Sequence, residues 1–137
     1  MTYNSISSAV QDFAIAGIHT SPRDATNEIS NLTLVYDAIQ RKWNLHDAII
    51  MGDFNAGCDY VKEWDSVRLA KDDGFYWIID HSLDTTAEKS DCPYDRIVVA
   101  GRKMIPNVLP HSGGVFHYDE ELDLSSSEVF KFFSSTS

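Results

Sequence analysis

Apolar and polar positions change rhythm along this chain, and the changes mark its elements. Phe13 to His19 (FAIAGIH) is a nearly continuous apolar run behind a polar lead-in, the pattern of a strand buried on both faces. Ser21-Pro22-Arg23-Asp24 interrupts it and offers Asp24 as a helix N-cap. Apolar residues then return at helical spacing, at Ile29, Leu32, Val35, Tyr36, Ile39 and Trp43. That spacing predicts one buried stripe on a helix of roughly 18 residues ending near Trp43-Asn44. A second apolar run, Ala48 to Met51, leads into Gly52-Asp53-Phe54-Asn55, so strand, helix and strand follow one another as a βαβ-like unit.

Beyond Asn55 the chain is polar and irregular until Phe75-Tyr76-Trp77-Ile78-Ile79. A loop of acids and hydroxyls, Asp80 to Asp91, separates that run from Tyr94 to Ala100 (YDRIVVA), a third strong strand candidate closed by Gly101. Pro106, Pro110 and Gly113-Gly114 then mark loops, and Val115-Phe116-His117-Tyr118 is a candidate short strand. There is no internal repeat and no second domain, and the βαβ-like unit points to an α/β fold class.

Composition narrows this picture. At 137 residues and 15.4 kDa, with 43% hydrophobic and 23% charged residues, the chain has the make-up of an ordinary globular domain. No apolar run approaches the ~18 residues of a membrane-spanning helix. MTYNSISSAV, the amino terminus, lacks the charged and apolar regions of a signal peptide. A net charge of −10 argues against a protein that binds nucleic acid by displacing counterions, but leaves room for one that meets anions through bound cations. Cys58 and Cys92, the two cysteines, read either as free thiols or as one bridge. Asn31-Leu32-Thr33 is a glycosylation sequon, with Asn31 off the helical stripe and so expected to be exposed. His46, His81, His111 and His117 have no motif around them and read as surface or packing residues.

The strand candidates bring polar residues to their ends: His19, then Asp53 and Asn55, then Asp95 at the start of the third. Open α/β sheets place ligand sites at such ends. Asp53 and Asn55 are two apart, and strand alternation would aim both at one metal ion or one phosphate.

Met51 to Val61 (MGDFNAGCDYV) resembles the central motif of the deoxyribonuclease I family, within the endonuclease/exonuclease/phosphatase superfamily. Three further segments match in order: Phe13 to His19 with Pro22 and Asp24; Gln40-Arg41-Lys42-Trp43; and Asp84-Thr85-Thr86 through Asp91-Cys92-Pro93-Tyr94-Asp95 to Gly101. The resemblance spans residues 5 to 125. It implies a metal-dependent endonuclease hydrolysing phosphodiester bonds of double-stranded DNA. His19 is similar to a catalytic proton-transferring histidine, Asp53 to an aspartate of the metal and phosphate site, and Asn55 to an asparagine that contacts the scissile phosphate. Asp95 resembles a carboxylate that hydrogen-bonds a catalytic histidine. Tyr60 and Tyr94, like Asn55, stand at DNA-facing positions, and Cys58 and Cys92 at a disulfide pair. Mg²⁺ is implied at Asp53, and Ca²⁺ at Asp84, Thr86, Glu88 and Ser90, alternating oxygen donors suited to a hard cation.

The family fold is a four-layer α/β/β/α sandwich. Residues 1–137 resemble its carboxyl-terminal half, with a divergent tail over 126–137 lacking the family's Ser-Asp-His motif. Metal-binding and histidine-pairing glutamates belong to the absent half. The expectations are that this chain alone cleaves DNA negligibly, that it self-associates through a sheet face left uncovered, and that the whole protein is secreted. A different reading makes the chain an inactive homologue acting as a binding or regulatory module. A phosphoinositide or sphingomyelin phosphodiesterase agrees less well with Cys58, Cys92 and Tyr94.

Overall fold

The structure is a computed structural model, and it describes residues 10–86, 92–125 and 127–129. Strand β1 (Ala14–His19) leads through helix α1 (Ala25–Trp43) to strand β2 (Ala48–Asp53). A 3-10 turn (Trp64–Ser66) and a single helical turn, α2 (Arg68–Lys71), precede the short strand β3 (Phe75–Trp77) and strand β4 (Asp95–Ala100). The sheet order is β1-β2-β4-β3. β1 and β2 run parallel, as a βαβ crossover requires, while β4 is antiparallel to both β2 and β3. The sheet is therefore mixed and the class is α+β, with helices flanking it.

α1 starts where the Ser-Pro-Arg-Asp break predicts. Asp24 holds the N-cap position without capping the backbone; its Oδ1 accepts instead from Asn27 Nδ2 at 2.7 Å. Glu28 reaches back, its carboxylate accepting the Ser21 N–H at 3.2 Å, and Asn44 ends the helix in the left-handed region at φ 54°. The buried stripe is Ala25, Ile29, Leu32 and Ile39, joined by half-buried Tyr36. Val35 is exposed because helical rotation carries it off that stripe, whereas Trp43 keeps the stripe's spacing and is exposed because it is the last residue of the helix.

The main core lies between α1 and one face of the sheet. Ile29 and Leu32 meet Ile50, Phe54 and Val98, with Val67 and Leu69 closing the end. β1 is not buried on both faces: Ala14 is buried, whereas Ile15 is 65% exposed and Gly17 and His19 are open. The reason is architectural. β1 is an edge strand, and α1 covers only one of its faces. Across the strands, Ile15, Ile49, Val99 and Tyr76 stand in one row, and Met51 shares their side; Ile15, Met51 and Tyr76 remain exposed. Residues 115–118 form no strand; the one-turn helix α3 (Tyr118–Glu121) begins there. Of the tail, residues 126 and 130–137 lie outside the described residues.

Candidate active site

Parallel β1 and β2 end together, and antiparallel β4 begins beside them. The register His19–Asp53–Asp95 is the result: three polar side chains in one row at one end of the sheet. All three share the face that carries exposed Ile15 and Met51, since each lies an even number of residues from the apolar row. His19 Nε2 is 3.5 Å from Asp53 Oδ2, with the imidazole widely open to solvent. Asp95 thus joins the row, yet the histidine in contact with a carboxylate pairs with Asp53.

Gly52 makes this approach possible. Its φ is +137°, and a Cβ there would stand 2.0 Å from the Ile18 carbonyl oxygen. Asn55 follows at φ 44°, beyond the end of β2, so strand alternation does not govern it. Its backbone N–H donates to Asp53 Oδ1 at 2.8 Å, and its buried Nδ2 donates to the Thr20 carbonyl at 2.9 Å. Asp53 and Asn55 are brought together by a turn rather than by a shared strand face. Thr20, one residue past β1, donates its N–H to the Asp53 carbonyl, and Phe54 donates its N–H to Tyr94 O. The ends of β1, β2 and β4 are stitched into one unit.

The electrostatics of the row are those of crowded anions. Asp95 is held above the ordinary carboxyl range, first by desolvation and then by the facing Asp53 charge; the Thr85 hydroxyl, His19 and Arg96 pull the other way. Beside the row, the rings of Tyr60 and Tyr94 pack 5.7 Å apart, with Tyr60 exposed. Desolvation, Tyr60 and Asp53 push the Tyr94 hydroxyl up. Cys58 and Cys92 form a disulfide that ties the turn after Asn55 to the start of β4. In the chain-entropy account a closed loop of this size contributes about 4 kcal/mol.

Of the expected calcium loop, Asp84 and Thr86 are described and lie hydrogen-bonded together. Asp84 Oδ1 accepts from the Thr86 N–H at 2.9 Å, the Thr86 hydroxyl at 2.7 Å and the Cys92 N–H at 3.1 Å. Burial raises the Asp84 carboxyl, but these donors outweigh it and hold the group below its usual range. Asp84 and Thr86 therefore satisfy each other, and Glu88 and Ser90 lie outside the described residues. No group of three or more His, Cys, Asp or Glu side chains poised for a metal occurs among the described residues. Asn31 is exposed as its helical position predicts, while Thr33 of the sequon is buried and donates to Ser30 O.

Two residues of this region escape motif reading. Thr20 carries the Asn55 carboxamide, and nothing but its place after an apolar run marks it. Arg96 is fully buried in β4. Its signal is legible in retrospect: period-2 counting along DRIVVA puts Arg96 on the core side with Val98 and Ala100. A cleft of about 1150 Å³ is at the other end of the sheet, lined by Tyr36, Asp47, Phe75 and Gly101, and takes no part in the row. No helix among the described residues is long and apolar enough to cross a membrane.

No protein-family model matches the chain. It is 43% identical over 130 residues to deoxyribonuclease gamma of Mus musculus, which covers 93% of this chain and 42% of the relative. It is 44% identical over 126 residues to deoxyribonuclease-1 of Bos taurus (90% and 45%), and 41% identical over 130 residues to deoxyribonuclease gamma of Homo sapiens (93% and 43%). The chain spans less than half the length of these relatives.

Proposed function

Because the chain belongs to the deoxyribonuclease I family, we propose that it carries part of the active site of an endonuclease hydrolysing double-stranded DNA. The observation that supports this reading best is the His19–Asp53–Asp95 row at the end of the sheet, with the Asn55 turn locked against it.

Each group has a physical task there. Asp53 Oδ2, 3.5 Å from His19 Nε2, orients the imidazole, which suits His19 to passing a proton to or from a phosphodiester oxygen. Asn55 is held by two hydrogen bonds, so its position beside a bound phosphate is set before substrate arrives. Asp95 completes the carboxylate face of the row and is the group to pair a second histidine from outside it. Exposed Tyr60, packed on half-buried Tyr94, offers an aromatic surface for the DNA.

Donor chemistry at the row fits a hard divalent cation. Asp53 and Asp95 present only oxygen, and their mutual repulsion, visible in the raised Asp95 carboxyl, is what a cation relieves. Mg²⁺ held by Asp53 would supply positive charge next to a phosphate. Ca²⁺ is proposed for the segment of Asp84, Thr86, Glu88 and Ser90, where it would have to compete with the Asp84–Thr86 hydrogen bonds. Secretion of the whole protein agrees with the disulfide, since such bonds persist in oxidising compartments. The exposed Ile15, Met51 and Tyr76 flank the catalytic row on one face. Whatever covers that face also walls the site, which supports both the incomplete site and self-association of the chain when the face is bare.

The test is plasmid nicking with Mg²⁺ and Ca²⁺. The purified chain is expected to leave supercoiled plasmid intact, because groups that act as a unit fail together. A chimera that adds both the amino-terminal part and the carboxyl-terminal Ser-Asp-His segment of the family, which supplies the histidine for Asp95, is expected to nick it, and His19→Gln or Asp53→Asn in that chimera to abolish nicking. A folded chimera that binds plasmid without nicking it favours the binding-module reading instead.

A further inference from the structure

Arg96 is the largest of the fully buried side chains among the described residues. A buried cation normally pairs with an anion, because desolvating it alone is costly. Among the described residues no carboxylate lies within salt-bridge distance of it; its partners are neutral. One guanidinium nitrogen donates to the carbonyls of Ile79 and Asp80, and the other donates to Ala56 O at 2.8 Å and meets His81 Nδ1 at 3.2 Å. Arginine has donors only, so Nδ1 of His81 must be the acceptor, which places the imidazole proton on Nε2 and leaves the ring neutral.

The rest of the surroundings fit that assignment. His81 packs against Trp64 at 4.1 Å between centroids and against Trp77 at 6.1 Å, with Arg96 itself 6.0 Å over the Trp77 ring. The charged groups facing the imidazole are Arg96 from β4 and Asp80 from its own segment; the aromatic neighbours carry no charge. Asp80 is turned partly away, its carboxylate accepting from the Ser82 N–H and hydroxyl. Protonating Nδ1 would point a donor at a donor and set two cations side by side, one of them the buried Arg96.

We propose that His81 and Arg96 form a pH-sensitive latch: neutral His81 clamps the segment around Asp80 onto Arg96, and protonation of His81 releases it. The same guanidinium holds the carbonyl of Ala56, the residue after Asn55, so release also loosens the turn that positions Asn55. Because the latch stands on side-chain geometry alone, it holds whether or not the chain cleaves DNA.

The direction of the pH effect follows. Desolvation and then Arg96 hold His81 below its usual 6.5, against a smaller opposing pull from Asp80. A depressed value in the fold means stability that is complete above the unfolded value near 6.5 and is lost as pH falls through the folded value. The experiment is an NMR titration of the whole chain from pH 8 to pH 4.5, with amide exchange followed at residues 79–82 and 55–57. The expected result is an Nε2-protonated His81 at neutral pH, titrating below its ordinary value, with amide protection around Ser82 and Ala56 lost in the same step. His81→Gln keeps an acceptor for Arg96 but cannot titrate, and is expected to keep that protection throughout. Titration of His81 at or above its ordinary value overturns the latch, as does an Nδ1-protonated ring or an unchanged pH step in His81→Gln. Should His81→Gln fail to fold, the tautomer and titration of the natural chain decide alone.

Discussion

Gly52 shows how one residue sets the geometry of the candidate site. Residues before it hold β2 in parallel register with β1, and the next residue must present its carboxylate to His19. A positive φ and a gap of 2.0 Å between a would-be Cβ and Ile18 O leave glycine as the residue that fits. Gly52→Ala is expected to cost about 2–4 kcal/mol, since it combines backbone strain with a backbone clash. Urea unfolding measures this, and a variant within about 0.5 kcal/mol of the parent would show that the strands do not meet as described. Asn55 makes a related point. Its sequence neighbourhood suggested a strand position, whereas its φ of 44° and its bond to Thr20 make it the anchor of a turn. Nothing in the local sequence announces Thr20, because the contact joins residues 35 apart.

At the scale of elements, α1 was legible because its apolar residues repeat at the helical period, and the sheet exists to receive that stripe. Not every apolar residue in the repeat belongs to it. Ile29 is fully buried against the core of Ile50 and Phe54, while Val35 is 41% exposed on the far side. Ile29→Ala is therefore expected to destabilise the fold by about 2–5 kcal/mol and Val35→Ala by about 0.5 kcal/mol or less. Paired thermal or urea denaturation separates the two; equal losses would mean that the stripe is placed on the wrong face. β1 carries the opposite lesson. An apolar run predicted burial on both faces, but burial depends on what lies across each face, and that is a property of neighbours rather than of the strand. The disulfide between Cys58 and Cys92 joins two segments whose own patterns are weak, holding the site turn to β4 where no regular element does.

For the whole molecule, the decisive feature is that the polar row and an uncovered apolar patch share one face of the sheet. Exposed Ile15 and Met51, on neighbouring strands, form an apolar surface of the kind that soluble monomers keep small, with exposed Tyr76 on the same face beyond buried Val99. The self-association proposed above is measurable by sedimentation velocity over a concentration series. A weight-average mass that rises with concentration is expected, and Ile15→Lys together with Met51→Lys should return it to that of a monomer. A concentration-independent monomer in the natural chain would remove the idea. The net charge of −10 acts at the same scale, because it repels any polyanion within reach of the surface unless cations screen it.

The sequence by itself determined the βαβ order, the helix stripe, the strand ends that carry His19, Asp53 and Asp95, and the kinship read in Met51 to Val61. Those features are local, written in periods of two or 3.6 residues and in short motifs. Only the tertiary structure decided that β4 runs antiparallel beside β2 and so brings Asp95 opposite Asp53. It also decided that His19 pairs with Asp53, that Arg96 is a buried cation answered by neutral His81, and that Ile15, Met51 and Tyr76 of one sheet face stay exposed. The physical reason is common to all of these. Pairing, charge compensation and burial are set by residues far apart in the chain, and no local pattern encodes which distant neighbour arrives.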